Sequence, residues 1–141
     1  MKIFIVILAI VIISFSMGVV SFDTDRKLID DAVLVREPEQ KFIQLEFSAP
    51  VRLVGKYPQE TGDILQVKLR VIGLGKFNEN FSVLDKFVGV EEGKEIYMTD
   101  MYYEGDVPGG PFLVMRFSRP VRWKIIEGDG LLGMNIVIKK A

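Results

Sequence analysis

The chain has 141 residues and neither cysteine nor histidine. Without a thiol there is no cysteine nucleophile, zinc–thiolate site, iron–sulfur cluster or lipid-modified cysteine, although the redox compartment stays open. Without an imidazole, the commonest general base and the preferred ligand of catalytic zinc are missing. Most hydrolase mechanisms lose a participant, and no cofactor or metal is expected. An excess of one charge sign is lacking too: 18 Lys and Arg stand against 19 Asp and Glu, and without Lys2 the basic count is 17. Nucleic-acid binders gather Lys and Arg on one basic face, so nucleic acid is not an expected partner.

Acidic groups do not fill the catalytic gap. Asp23 with Asp25, Asp30 with Asp31, Glu91 with Glu92, and Asp129 show no D-x-D-x-D-G spacing for calcium. Nothing in the sequence brings a carboxylate pair together around a cleft, as glycoside hydrolysis requires. The turn-dense stretch 104–111 reads as a β-turn or a flexible end loop, and it has neither a GxxxxGK pattern nor a following helix to cradle phosphate. A non-enzymatic protein is expected.

The N-terminus is the one long apolar feature. Lys2 precedes an unbroken apolar run of 11 residues, Ile3 to Ile13, and the uncharged stretch from Ile3 to Phe22 is 20 residues long. Ser14, Ser16, Gly18 and Ser21 are small residues suited to a cleavage site, which makes residues 1–21 a signal peptide. As a helix at 1.5 Å per residue, the same stretch is about 30 Å long, enough to span the hydrocarbon core as a signal anchor. Ser14 and Gly18, four apart, would then form a small-residue contact stripe for other helices. Under either reading the chain from Phe22 onward crosses the membrane. The remaining 120 or so residues are one domain's worth and can bury a core without a staple.

Past Asp25 the apolar period becomes two. In Leu65-Gln66-Val67-Lys68-Leu69-Arg70-Val71 every odd position is apolar and every even one polar, the mark of a half-buried strand. Ile43–Phe47 and Met134–Ile138 repeat the pattern, and further strands are expected at 28–36, 51–54, 96–103, 112–117 and 121–126, punctuated by Gly, Pro and Asp. An internal repeat at an offset of 70 organises them. Phe42-Ile-Gln-Leu-Glu-Phe-Ser-Ala-Pro-Val-Arg52 matches Phe112-Leu-Val-Met-Arg-Phe-Ser-Arg-Pro-Val-Arg122 at six of eleven positions. Asp30 falls on Asp100, Pro38 on Pro108, Gly62-Asp63 on Gly128-Asp129, and Leu65–Arg70 on Met134–Lys139 after a short insertion.

Two copies are too few for a solenoid, but two sheets with one apolar face each can cover one another. The expected fold is all-β: a pseudo-symmetric β-sandwich over 22–141, made of halves at about 26–72 and 95–141. Ile43, Leu45 and Phe47 should meet Leu113, Met115 and Phe117 in its core. The connector 73–94, with Phe77, Phe81, Leu84 and Phe87 among glycines, reads as a loop or short helix laid over that core.

Two strands carrying Phe-Ser-x-Pro-Val-Arg, each followed by a Gly-Asp turn and a period-two strand, resemble the AMIN-type β-domain of bacterial envelope proteins. That domain occurs in periplasmic cell-wall amidases and in secretins. The resemblance spans about Arg26 to Ala141 and implies two similar packed sheets and a role in docking to peptidoglycan or to an envelope protein assembly. No stretch resembles an amidase or secretin segment, so any activity is expected to come from a partner. The location implied is periplasmic, exported or anchored to the inner membrane through residues 1–21. The alternative is a single-pass accessory subunit of a membrane complex held by an uncleaved N-terminal helix.

Candidate binding residues follow from residue type and position. Arg52 and Arg122 sit at equivalent turns and could present guanidinium forks to carboxylates, or serve only as solvated strand ends. Tyr57, Tyr102, Tyr103 and Trp123 are amphipathic aromatics suited to sugar rings or interfaces. Because neighbours in a strand alternate faces, Tyr102 and Tyr103 cannot both lie in the core.

Overall fold

The computed structural model describes residues 27–73, 75, 77 and 79–141. The leader predicted at residues 1–21 lies outside the described residues. Among the described residues no helix is long and apolar enough to cross a membrane.

Eight strands form, most of them where the period-two pattern and the turn residues place them: β1 Ile29–Arg36, β2 Lys41–Phe47, β3 Val51–Tyr57, β4 Thr61–Val71, β5 Asn80–Ser82, β6 Met98–Glu104, β7 Phe112–Glu127 and β8 Gly133–Lys140. A π turn at Leu84–Val88, a short helix α1 at Val90–Lys94 and a 3-10 turn at Asp129–Leu131 complete the elements. Every ladder is antiparallel. The strand order is β1-β2-β8-β7-β4-β3, with β6 also on β7 and β5 on β6.

β7 belongs to two neighbourhoods. Its first part lies between β6, where Tyr103 faces Leu113, and β4, where Val67 faces Leu113 from the other side. From Val121 onward it pairs with β8, Trp123 facing Ile138, while the first residues of β4 flank it through Thr61 and Arg122. The sequence places separate strands at 112–117 and 121–126, yet the strand runs unbroken through Ser118-Arg119-Pro120. Ser118 turns its N–H to Tyr97 O at 2.8 Å, and Pro120 has no N–H to offer a ladder. Proline is tolerated where a strand changes partner for that reason.

The pairing pattern of β1–β4 recurs in β6–β8. β2 lies beside β8 with Phe42 opposite Val137, and β7 lies beside β4 with Phe112 opposite Lys68. All the ladders join in one eight-stranded sheet, in which the last strand of each sequence half pairs with a strand of the other. The Ser48 N–H donates to Leu28 O at 2.9 Å, as the Ser118 N–H does to Tyr97 O. Both outer ladders shift register at the same place, between Ile29 and Asp31 and between Met98 and Asp100. Asp31 faces Glu46 and Asp100 faces Arg116, so the residue matching Asp100 is Asp31, one later than the Asp30 of the sequence alignment.

Inward rows from both halves share one core. Ile43, Leu45 and Phe47 join Leu113, Met115 and Phe117, all under 9 % exposed, with Leu65, Val67 and Leu69 of β4 and Met134, Ile136 and Ile138 of β8. Each such side chain contributes about 1.5–3 kcal/mol when fully buried. The connector closes one side: Phe81 packs on Tyr103 at 5.4 Å between ring centres and on Phe87 at 6.3 Å, and Val83, Leu84 and Val88 are buried. β5 within it escaped the sequence reading, because three residues are too few to show a period.

Candidate binding surfaces

The alternation that builds the core also sorts the six candidate residues. Tyr103 is fully buried and Trp123 is 3 % exposed, so both are core residues, although Trp123 also contributes to the lining of a small pocket beside Arg122. Tyr103 follows Met101 onto the inner row of β6, and its O–H donates to Phe77 O at 3.3 Å. Trp123 follows Val121 inward, lies against Phe117 at 6.2 Å, and donates its indole N–H to Pro58 O at 3.2 Å. Their polar ends are satisfied inside, which lets large amphipathic rings be buried.

Tyr102 and Tyr57 face outward, 38 % and 53 % exposed. Tyr102 stands in an outer row with Val114 and Ser82. Tyr57 folds back along β3, with its hydroxyl beside Gly55, where an added Cβ would lie 2.7 Å from it.

Arg52 and Arg122 are exposed, but the fold holds them apart. Arg52 is opposite Arg70 and Arg122 is opposite Thr61, nine residues away along β4. At about 3.3 Å per residue the separation is roughly 30 Å. Each faces a second base across its ladder: Arg70 for Arg52, Lys139 for Arg122. Among the described residues, none of these four side chains has an ion-pair or hydrogen-bond partner. Arg122 and Lys139 rim a pocket of about 220 Å³ floored by Val137 and Ile126.

Two larger clefts occupy equivalent places, each where the end of a fourth strand meets the hairpin of the other half. The β8 cleft, about 500 Å³, has Lys41, Lys139 and Lys140 facing Glu37, Glu39 and Glu95. Arg36 beside it donates two hydrogen bonds to Glu95, at 2.6 and 2.9 Å. That fork holds the Glu95 carboxyl below the usual glutamate range and raises Arg36. The β4 cleft, about 530 Å³, has Lys68 and Arg70 beside Val54, Phe77 and Pro111. No carboxylate is among the described residues that line it, and its far wall is the backbone of Gly105, Gly109 and Gly110.

A third cleft of about 430 Å³ is rimmed by Asp30, Glu46 and Asp129. Among the described residues, no group of three or more carboxylates is gathered closely enough to hold a metal ion. The exposed bases offer charge-assisted hydrogen bonds to an oxyanion. Lys68, Arg70 and Lys139 were not singled out from the sequence, although the overlay of Leu65–Arg70 on Met134–Lys139 put a base at the end of both fourth strands.

No family model, no curated protein and no solved structure matches the chain.

Proposed function

We propose that the chain is a non-enzymatic, extracytoplasmic docking module that binds peptidoglycan or an envelope protein assembly. In this reading the domain arose by duplication and is a pseudo-symmetric β-sandwich of the AMIN type. The observation that carries it is the recurrence of one set of strand pairings, with each half lending its last strand to the other. A duplicated chain whose halves fold around each other would have that arrangement. The unpartnered bases Arg52 and Arg122, set far apart, suit a repetitive or extended partner better than a single small substrate. The uncharged N-terminal stretch supports placement beyond the membrane.

Co-sedimentation of the full-length chain with purified sacculi, and crosslinking in envelope fractions, tests the proposal. Retention on sacculi or a specific envelope crosslink, weakened in R52Q/R122Q, is the expected result. Absence of both sinks it. The four-residue spacing of Ser14 and Gly18 favours a second reading, a membrane-held accessory subunit. N-terminal sequencing decides it: an intact Met1 on the membrane-extracted protein supports the anchor, and a start near Val19 or Phe22 ends it.

A further inference from the structure

The two clefts are matched in place and differ in charge, one balanced and one basic. In the β8 cleft, bases at the end of the strand meet acids from the 37–41 hairpin. At the offset of 70, Glu37 and Glu39 correspond to Val107 and Gly109, so the equivalent hairpin of the β4 cleft brings backbone where the other brings carboxylates. Val137 of the first outer pair likewise becomes Lys68 in the second. The β4 cleft keeps two bases, Lys68 and Arg70, with no carboxylate among the described residues that line it, where the β8 cleft sets three lysines against three glutamates.

We propose that the β4 cleft binds a peptide ending in a free carboxylate, gripped by Arg70 with Lys68 beside it. The site extends the docking reading and rests on it for its setting. The Arg70 guanidinium is exposed, unpartnered and opposite Arg52, an arrangement of like charges that an incoming anion relieves. A guanidinium fork matches the two oxygens of a carboxylate. Val54, 43 % exposed, and Pro111 give an apolar wall for the side chain next to that carboxylate.

Gly109, at φ +78°, turns the loop and leaves its wall bare of side chain. A volume of about 530 Å³ lies within the range of roughly 300–1,000 Å³ typical of ligand pockets, enough for a few residues. The small number of bases and the near-neutral chain argue against a long polyanion, which needs an extended basic face.

The test is a calorimetric titration of the full-length chain, in a non-ionic detergent, with three probes: acetyl-trialanine bearing its free carboxylate, the same peptide as its C-terminal amide, and inorganic phosphate. The expected result is saturable binding of the free acid at one per chain, with no heat from the amide and no competition by equimolar phosphate. R70Q should weaken binding at least tenfold and R70K in part, while K139Q in the matched cleft stays within twofold of wild type.

Equal binding of acid and amide, effective competition by phosphate, equal effects of R70Q and K139Q, or no binding at all would each overturn the proposal. Sacculus co-sedimentation separates the two readings. Retention without peptide binding removes the cleft and keeps the docking module; peptide binding without retention or envelope crosslinks does the reverse.

Discussion

The first half of the domain and the second share a ladder register and differ in what they put on the outside of it. Phe42 and Val137 face each other on the outer side of one sheet and are 8 % and 4 % exposed, while their counterparts Phe112 and Lys68 are half-buried. Inside, Leu45 matches Met115 and Phe47 matches Phe117, all in the core. A shared core constrains volume and polarity on the inner rows, because packed interiors feel a single methylene. Solvent imposes no such limit outside, where the outer rows make one charge-balanced cleft and one basic cleft.

Truncating the matched core residues is the most severe way to break this comparison. Leu45→Ala and Met115→Ala should each cost about 2–5 kcal/mol. Because β8 pairs with β2 and β4 with β7 in one sheet, urea unfolding followed by tryptophan fluorescence and by circular dichroism should stay a single coincident transition in both variants. Two separated transitions would show that the halves are independent units.

The next largest effect should come from Trp123, whose counterpart is Leu53. Trp123→Phe removes the indole N–H from Pro58 O and leaves a partly buried carbonyl unsatisfied, a loss of about 1–3 kcal/mol. Thermal unfolding measures it. No loss would mean that the 58–60 turn is held by the Trp123 N–H to Glu60 O bond at 2.9 Å alone.

Much of the inner architecture was legible in the sequence. Alternation in 65–71 and 43–47 located β4 and β2, and the repeat aligned the strands that take equivalent partners. Partner exchange was not legible, because period two fixes the face of a residue and says nothing about which strand lies beside it. The start of β6 also moved, from 96 to Met98: Tyr97 takes φ +62°, outside the extended region, and Ser118 bonds its carbonyl. Of the candidate residues, Arg52 and Arg122 were readable as exposed strand ends, and alternation showed that one of Tyr102 and Tyr103 faces outward without showing which. Tyr103 was not readable as core, since Tyr102 beside it is aromatic too, whereas the alternation Val121-Arg122-Trp123-Lys124 carried an inward sign for Trp123 that its reading as a binding aromatic passed over.

Tyr103 sharpens the comparison through pH. It stands where the first half has Leu34, and burial pushes its hydroxyl up to about 12 from 10.0. A neutral phenol in the folded state and an ionising one in the unfolded chain make stability complete below pH 10 and progressively lost as pH rises toward 12. Tyr103→Phe should remove that alkaline slope and, through the lost bond to Phe77 O, cost about 0.5–1.5 kcal/mol near neutrality. Melting temperatures between pH 8 and 11.5 check both. An unchanged slope would assign the alkaline loss to other groups.

The smallest effects should differ in sign between the two clefts. Glu95 titrates below its ordinary 4.5 because Arg36 bonds it, so its contribution is present above that value and fades as pH falls through the lowered one. The raised Arg36 stays charged throughout that window. Glu95→Gln should therefore lower the melting temperature slightly at pH 7, and the difference from wild type should shrink in acid and in high salt, since the pair is exposed and screened. Arg70→Gln in the matched cleft removes a base that faces Arg52 without a counter-charge. It should leave the melting temperature unchanged or raise it, most visibly at low salt, because like charges directly opposite on a ladder repel. A fall with R70Q as large as that with E95Q would mean that Arg70 is compensated within the folded chain, and the contrast between the clefts would fail on its electrostatic side while the shared register stood.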